Sequence, residues 1–201
     1  MTLIEAMQEL LSCKMVDGKT ALHAILTESD PSAKLQKITL SELAPGMLVL
    51  YIDNGRKVLY RSGKQHKTVA VCMSPLFSTT NGKDHNCGCD AVLIHVPDEN
   101  DTRCEIFYIE LKSDTPYGYA GQFVSTMCFL QYVKIVIQEF WDAEMLITRE
   151  RYIVFHTDTQ NFQPKLGKRT TRPDPKNANS PEKPDMHIVR DRMTIRCTEL
   201  F

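Results

Sequence analysis

The chain has 201 residues, 42% of them hydrophobic and 24% charged, enough to bury a core without disulfide staples. Its net charge of −1 excludes an overall field drawing the whole protein to nucleic acid or an anionic membrane, and leaves a local basic patch open. Seven cysteines, an odd number in a chain this long, suit a reducing compartment better than a disulfide framework. The expectation is one cytoplasmic domain.

Residues 2–13 place Leu3, Ile4, Met7, Leu10 and Leu11 at helical spacing, with Thr2 and Glu5 in a capping-box pattern. The stretch carries acids and no basic n-region, so it is not read as a signal peptide. A second short helix is expected over 19–28, stopped at Ser29-Asp30-Pro31-Ser32. Residues 39–43, TLSEL, repeat the capping-box pattern, and 1–45 as a whole reads as an N-terminal helical part. A strand is expected over 46–53, with Asn54-Gly55 as a hairpin turn and 57–63 as the return strand. Residues 67–75 read as another strand and 77–88 as a polar loop.

The centre of the chain is clearer. The strand 89–96, the turn 97–102 and the strand 103–112 precede the loop 113–119 and a long helix from about Ala120 to about Met145. That helix carries Phe123, Val124, Met127, Leu130, Val133, Ile137, Phe140 and Trp141 as a core stripe. Gln131, Lys134, Gln138, Glu139, Asp142 and Glu144 interrupt the apolar run around 123–147, so no membrane span is expected. Residues 151–157 form a strand, 158–185 a long basic, Pro-rich loop, and 186–201 a terminal strand, bent or folded as a hairpin. The class is mixed α/β, a mixed central sheet with flanking helices, whose core spans 46–157.

Counting locates the chemistry. A hairpin folding about Asn100–Asp101 puts Asp90 opposite residues 110–112, and strand alternation puts Glu110 and Lys112 on one face with Leu111 on the other. A cross-strand salt bridge, worth under ~1 kcal/mol when exposed, explains one carboxylate and the lysine. It explains less well why two carboxylates converge beside strands as apolar as AVLIHV and IFYI, where their repulsion grows with desolvation. A divalent cation removes that cost, and carboxylates with water and phosphate oxygens are what Mg²⁺ accepts.

Asp at the start of one core strand, Glu-x-Lys at the end of the next, and a following helix with Gly121-Gln122-Phe123 resemble the PD-(D/E)xK nuclease superfamily, the restriction-endonuclease-like fold. The resemblance covers roughly residues 86–157. It implies that Asp90 and Glu110 bind Mg²⁺ or Mn²⁺, that Lys112 positions or activates the attacking water, and that Gln122 supports the site. Cys89 stands where the name-giving Pro would be. Members commonly carry a further acid on an early helix; Glu5, Glu28 and Glu42 are candidates, with Glu42 preferred. The implied activity is a metal-dependent nuclease acting on nucleic acid, DNA rather than RNA, with a role in defence against phage as a fold-level analogy. A protein partner or a homodimer is left open, and the alternative is a non-catalytic scaffold subunit with the nuclease fold.

Other motifs carry less. His85, Cys87 and Cys89 are zinc-competent, but C-x-C is unusual for a structural site and the fourth ligand would come from afar, from Cys72 or His66. His95 and His156 sit in apolar strands and read as core or edge histidines. Tyr117 and Tyr119 read as loop-to-helix packing. Neither GxxxxGK[ST] nor GxGxxG occurs. Lys165, Lys168, Arg169 and Arg172, followed by Lys176, Lys183, Arg190, Arg192 and Arg196, form a late basic region that is either solvated or holds a polyanion.

Overall fold

The computed structural model describes residues 1–11, 14–28, 32–52, 85, 87–98, 100–113, 116–157 and 179–201, with the backbone of 58–62 and 65–69. The Asn54-Gly55 turn, Cys72, the side chain of His66, and Lys165, Lys168, Arg169, Arg172 and Lys176 lie outside these described residues.

Helix α1 (Leu3–Leu10) starts where its capping box places it. Thr2 Oγ1 accepts from the Glu5 amide at 3.2 Å and Glu5 Oε2 accepts from the Thr2 amide at 2.8 Å. The strands follow as β1 (Lys14–Asp17), β2 (His23–Thr27), β3 (Lys37–Ser41), β4 (Met47–Tyr51), β5 (Val58–Ser62), β6 (Gln65–Val69), β7 (Ala91–His95) and β8 (Arg103–Lys112). Helix α2 (Tyr119–Trp141) leads to β9 (Leu146–His156), β10 (Asp185–Ile188), β11 (Met193–Arg196) and a 3-10 turn at Cys197–Glu199.

These elements make a mixed α/β protein in three layers. The central layer is a six-stranded mixed sheet in the order β1-β4-β7-β8-β9-β10. Its first three pairings, β1–β4, β4–β7 and β7–β8, are antiparallel, while β8, α2 and β9 form a crossover that pairs β8 parallel to β9. One face carries Leu48, Leu50, Val92, Ile94, Ile106 and Tyr108 and packs on α1 and α2. The opposite face carries Val49, Leu93, Phe107, Ile109 and Leu111 and packs on the three-stranded sheet β11-β3-β2 through Leu26, Ile38, Leu40 and Ile195. Strand β8 is therefore dry on both sides from Ile106 to Leu111, which makes a charge there costly.

Several expectations give way to this packing. Residues 19–28 hold no helix: β2 alternates exposed and buried positions, with Ala24 and Leu26 entering the core, a period of two that outweighs local helix propensity. TLSEL caps no helix either, because Ile38 and Leu40 alternate inward along β3. The N-terminal part is thus one helix and three strands, and β1 was not foreseen. Within the expected return strand, β5 does not pair with β4, which lies between β1 and β7; β5 pairs instead with β6. The final segment is neither a bent strand nor a hairpin. Strand β10 joins β9 in the large sheet and β11 joins β3 in the small one, both parallel.

Helix α2 is long and apolar enough to cross a membrane by length and composition. Here it lies on the sheet, burying Phe123, Leu130, Val133 and Ile137.

Two glycines with positive φ separate strain from packing. Gly46 (φ +85°) precedes β4, and an added Cβ would lie 2.2 Å from the Val96 carbonyl oxygen; Gly118 (φ +75°), before α2, would meet nothing within 4 Å. Gly118→Ala is expected to cost only left-handed strain, about 1–2 kcal/mol. Gly46→Ala should cost clearly more, because the β4–β7 edge must move. Denaturant unfolding of both variants checks this, and equal losses would contradict it.

Candidate active site

The hairpin register pairs Ala91 with Ile109 and His95 with Glu105, so Asp90, one residue before β7, stands beside Glu110. The Asp90 amide donates to Glu110 Oε2 at 3.2 Å, and Asp90 Oδ2 accepts from the Leu111 amide at 2.6 Å. Each carboxylate thus braces itself on the backbone of the other's strand. Glu110 is 1% exposed and Asp90 9%.

Lys112 lies two residues on, on the same face as Glu110, while Leu111 enters the opposite core. Its Nζ stands 2.5 Å from Glu110 Oε1 and donates to Gln122 Oε1 at 3.0 Å. Gln122, in the first turn of α2, also donates from Nε2 to the Gly88 carbonyl at 3.4 Å. Thr126, one turn further on, accepts from the Cys89 amide at 2.9 Å. The start of α2 thereby fixes both the lysine and the segment leading into Asp90. Asp90, Glu110, Lys112 and Gln122 meet at one end of the central sheet.

Burial pushes the Glu110 carboxyl up, to about 7, against the pull of Lys112 and of the Asp90 amide. Burial also disfavours the Lys112 ammonium, yet the Glu110 carboxylate outweighs it and the lysine is held charged above its ordinary range. The two shifts disagree about which partner carries the proton at neutral pH. The close Nζ–Oε1 contact favours an ammonium–carboxylate pair there, and a neutral Glu110 in acid.

Glu42 does not reach this cluster. It follows β3 with φ +58° and pairs with Arg196 at 3.3 Å, both side chains being largely exposed. Glu5 is spent on the α1 cap. The acid that the site feels is Glu28, just past β2, whose charge acts on both Glu110 and Lys112. Nothing near Glu28 in the sequence marks it, because it comes close only through the small sheet: Leu35, ahead of β3, donates its amide to Ser113 Oγ at 3.0 Å.

His156 pairs in register with Lys112 and is buried at the end of β9. His95 lies at the far end of β7, 3.4 Å from Glu105. Tyr117 is exposed and Tyr119 packs near Phe123, with ring centroids 6.0 Å apart. The Cys89 thiol donates to the Ala91 carbonyl at 3.2 Å, and burial holds it far above the ordinary thiol range, a poor zinc ligand. Among the described residues no three His, Cys, Asp or Glu side chains form a metal cage. The donor set at the sheet end is two hard carboxylates from adjacent strands, which fits Mg²⁺ or Mn²⁺ completed by water and phosphate oxygens.

Comparison of the chain with protein-family profiles, with curated proteins and with solved structures finds no match.

The raised Glu110 carboxyl has a pH signature. Stability from a neutral, buried Glu110 is fully present below its unfolded pKa, 4.5, and is lost as pH rises through about 7. In EDTA the protein is expected to lose stability across that window, and Glu110→Gln should flatten the loss. Lys112→Met should cost about 1–2 kcal/mol at pH 8, where Glu110 must take up a proton once its ammonium is gone, and much less at pH 5. Denaturant unfolding at the two pH values is the check; a pH-independent cost would contradict the assignment.

Proposed function

We propose that this protein is a divalent-metal-dependent nuclease with a restriction-endonuclease-like core, hydrolysing phosphodiester bonds in DNA. The observation that supports it best is the convergence of Asp90, Glu110, Lys112 and Gln122 at the end of a strand buried on both faces. Asp90 and Glu110 would hold Mg²⁺ or Mn²⁺, which when bound polarises the scissile phosphate and lowers the pKa of a bound water.

The chain's own groups supply the rest. The mutual amide–carboxylate bonds hold the two acids in a fixed relation, so little reorganisation is needed when charge develops. Lys112, kept charged by its carboxylate neighbours, stabilises the negative charge growing on the phosphate oxygens. Gln122 fixes the direction of the ammonium, which would otherwise sample many rotamers. The N-terminus of α2 opens here with no side-chain cap and no acid in its first turn, adding a partial positive charge favourable to a phosphate. Dry packing around β8 keeps these charges in a medium where they act strongly. A place in defence against phage remains an analogy at fold level.

A scaffold subunit that keeps the fold without turnover is the second reading. One observation favours it: the Lys112–Glu110 pair is closed within the chain and would serve as a structural bridge.

Plasmid cleavage with Mg²⁺, Mn²⁺ or EDTA separates the two. The nuclease predicts metal-dependent cutting, reduced at least about 100-fold by Glu110→Ala and by Lys112→Ala, on the scale of losing one charge-stabilising group. Cutting that survives both substitutions would contradict the assignment, and no cutting of any DNA under either metal would favour the scaffold.

A further inference from the structure

Helix α2 is apolar beyond what its contact with the large sheet requires. Its inner side buries Phe123, Leu130, Val133 and Ile137, yet Val124 is 38% exposed, Ile135 59% and Tyr132 65%. Its 23 residues include two charged side chains, Lys134 and Glu139, where the 24% charged fraction of the whole chain would give about five. A helix whose outer side faces water ordinarily carries its charges there.

The exposed positions are also ordered. Val124, Cys128, Gln131, Ile135 and Gln138 are all exposed, at steps of four, three, four and three residues. That is the spacing of a coiled-coil seam, with Cys128 and Ile135 at a and Val124, Gln131 and Gln138 at d. Lys134 then falls at g and Glu139 at e, five residues on, the offset at which g of one helix meets e of a parallel partner. Within one helix, side chains meet three or four residues apart, so these two do not neutralise each other in a single copy. Across a parallel pair they do.

We infer that the outer face of α2 is the contact between two copies of this chain, packed as a parallel helix pair about a two-fold axis running along α2. A second copy fits this face better than other occupants. Gln131 and Gln138 each carry a donor and an acceptor, so each can pair with its own counterpart across the axis, whereas an apolar partner would leave them unsatisfied. A bilayer surface favours several cations beside the apolar stripe, and α2 has one. An antiparallel pair would set g against g and turn each Lys134 toward the other. The helix is already folded on the sheet, so association need not order it. The seam from Val124 to Gln138 runs about 21 Å, short beside permanent interfaces, and the dimer is accordingly weak, with a dissociation constant on the order of tens of micromolar.

The orientation matters for the candidate site, a link that rests on the nuclease reading. Gln122 in the first turn of α2 holds Lys112, so a parallel pair brings both sets of Asp90, Glu110, Lys112 and Gln122 to the same end of the dimer, related by the two-fold. Sites so placed can each take one strand of a duplex whose dyad lies on the same axis. A single copy would nick.

Sedimentation of the full chain in EDTA, over about 1 to 300 μM, reads the association without DNA or metal. The wild type is expected to pass from monomer toward dimer across that range. Ile135→Lys sets like charges on the axis and should raise the dissociation constant at least about 30-fold, and Glu139→Lys about fivefold. Lys134→Glu combined with Glu139→Lys exchanges the charges and should return within about twofold of wild type. Circular dichroism is expected to be the same in all of them, since none of these positions enters the core. Diamide should join Cys128, an exposed free thiol, to its counterpart: two thiols give one disulfide, and diamide takes up the two electrons and two protons. Cys128→Ser should remove that linked dimer. A chain monomeric throughout, a dimer indifferent to Ile135→Lys, a charge exchange that fails to restore association, or no Cys128 disulfide would overturn the parallel pair. So would a monomeric chain that sediments with phosphatidylcholine vesicles, which would give the face to a bilayer. Cutting with Mn²⁺ is scored separately. A dimer that cuts no DNA keeps the interface and removes the nuclease; a wild type that stays monomeric and cuts removes the interface and keeps the nuclease.

Discussion

A carboxylate that is 1% exposed near the end of a strand packed on both faces is the constraint around which this fold is arranged. Glu110 cannot be solvated, because α2 covers one face of β8 and the small sheet covers the other. Everything close to it compensates: the Asp90 amide from β7, the Lys112 ammonium from its own strand, and Gln122 from α2 holding that lysine. A leucine and a methionine in place of the pair would serve stability as well or better. A buried, strongly shifted carboxyl beside a second acid at a sheet end is a feature of sites more than of scaffolding. The same arrangement explains the topology. The short β7–β8 hairpin brings the acids together, and the long crossover through α2 returns its N-terminal turn to the same end.

What the sequence revealed follows from how local each signal is. Strand β8 and α1 could be read closely, since ten consecutive strand residues end in a charged pair and Thr2 with Glu5 satisfy each other three residues apart. The Asp90–Glu110 meeting was legible by reflection through one short turn. The small sheet was not. Ala21, Leu22, Ala24 and Leu26 are good helix formers, and burial against Ile38 and the large sheet selects the alternation seen in β2. Glu42 was attractive for its place before β4, yet it points into an exposed pair with Arg196, while Glu28 reaches the site's field through a sheet that no local pattern announced. Strands β10 and β11 look like partners in sequence and separate into two sheets, because β9 and β3 each offered an open edge.

The layers also divide the labour. The two cores hold β7, β8 and β9 in fixed register, so the acids, lysine and glutamine rest on rigid elements, as precise chemistry requires.

Direct measurement of metal binding tests the central claim most simply. Mn²⁺ titrated into the wild type, Asp90→Asn and Glu110→Gln at pH 8, followed by electron paramagnetic resonance, reads occupancy without reference to substrate or cutting. The account predicts saturable binding in the wild type that both substitutions abolish, with the folded state preserved in each. Absence of saturable binding in the wild type, or binding that survives both substitutions, would contradict the assignment of Asp90 and Glu110 as the metal-holding pair.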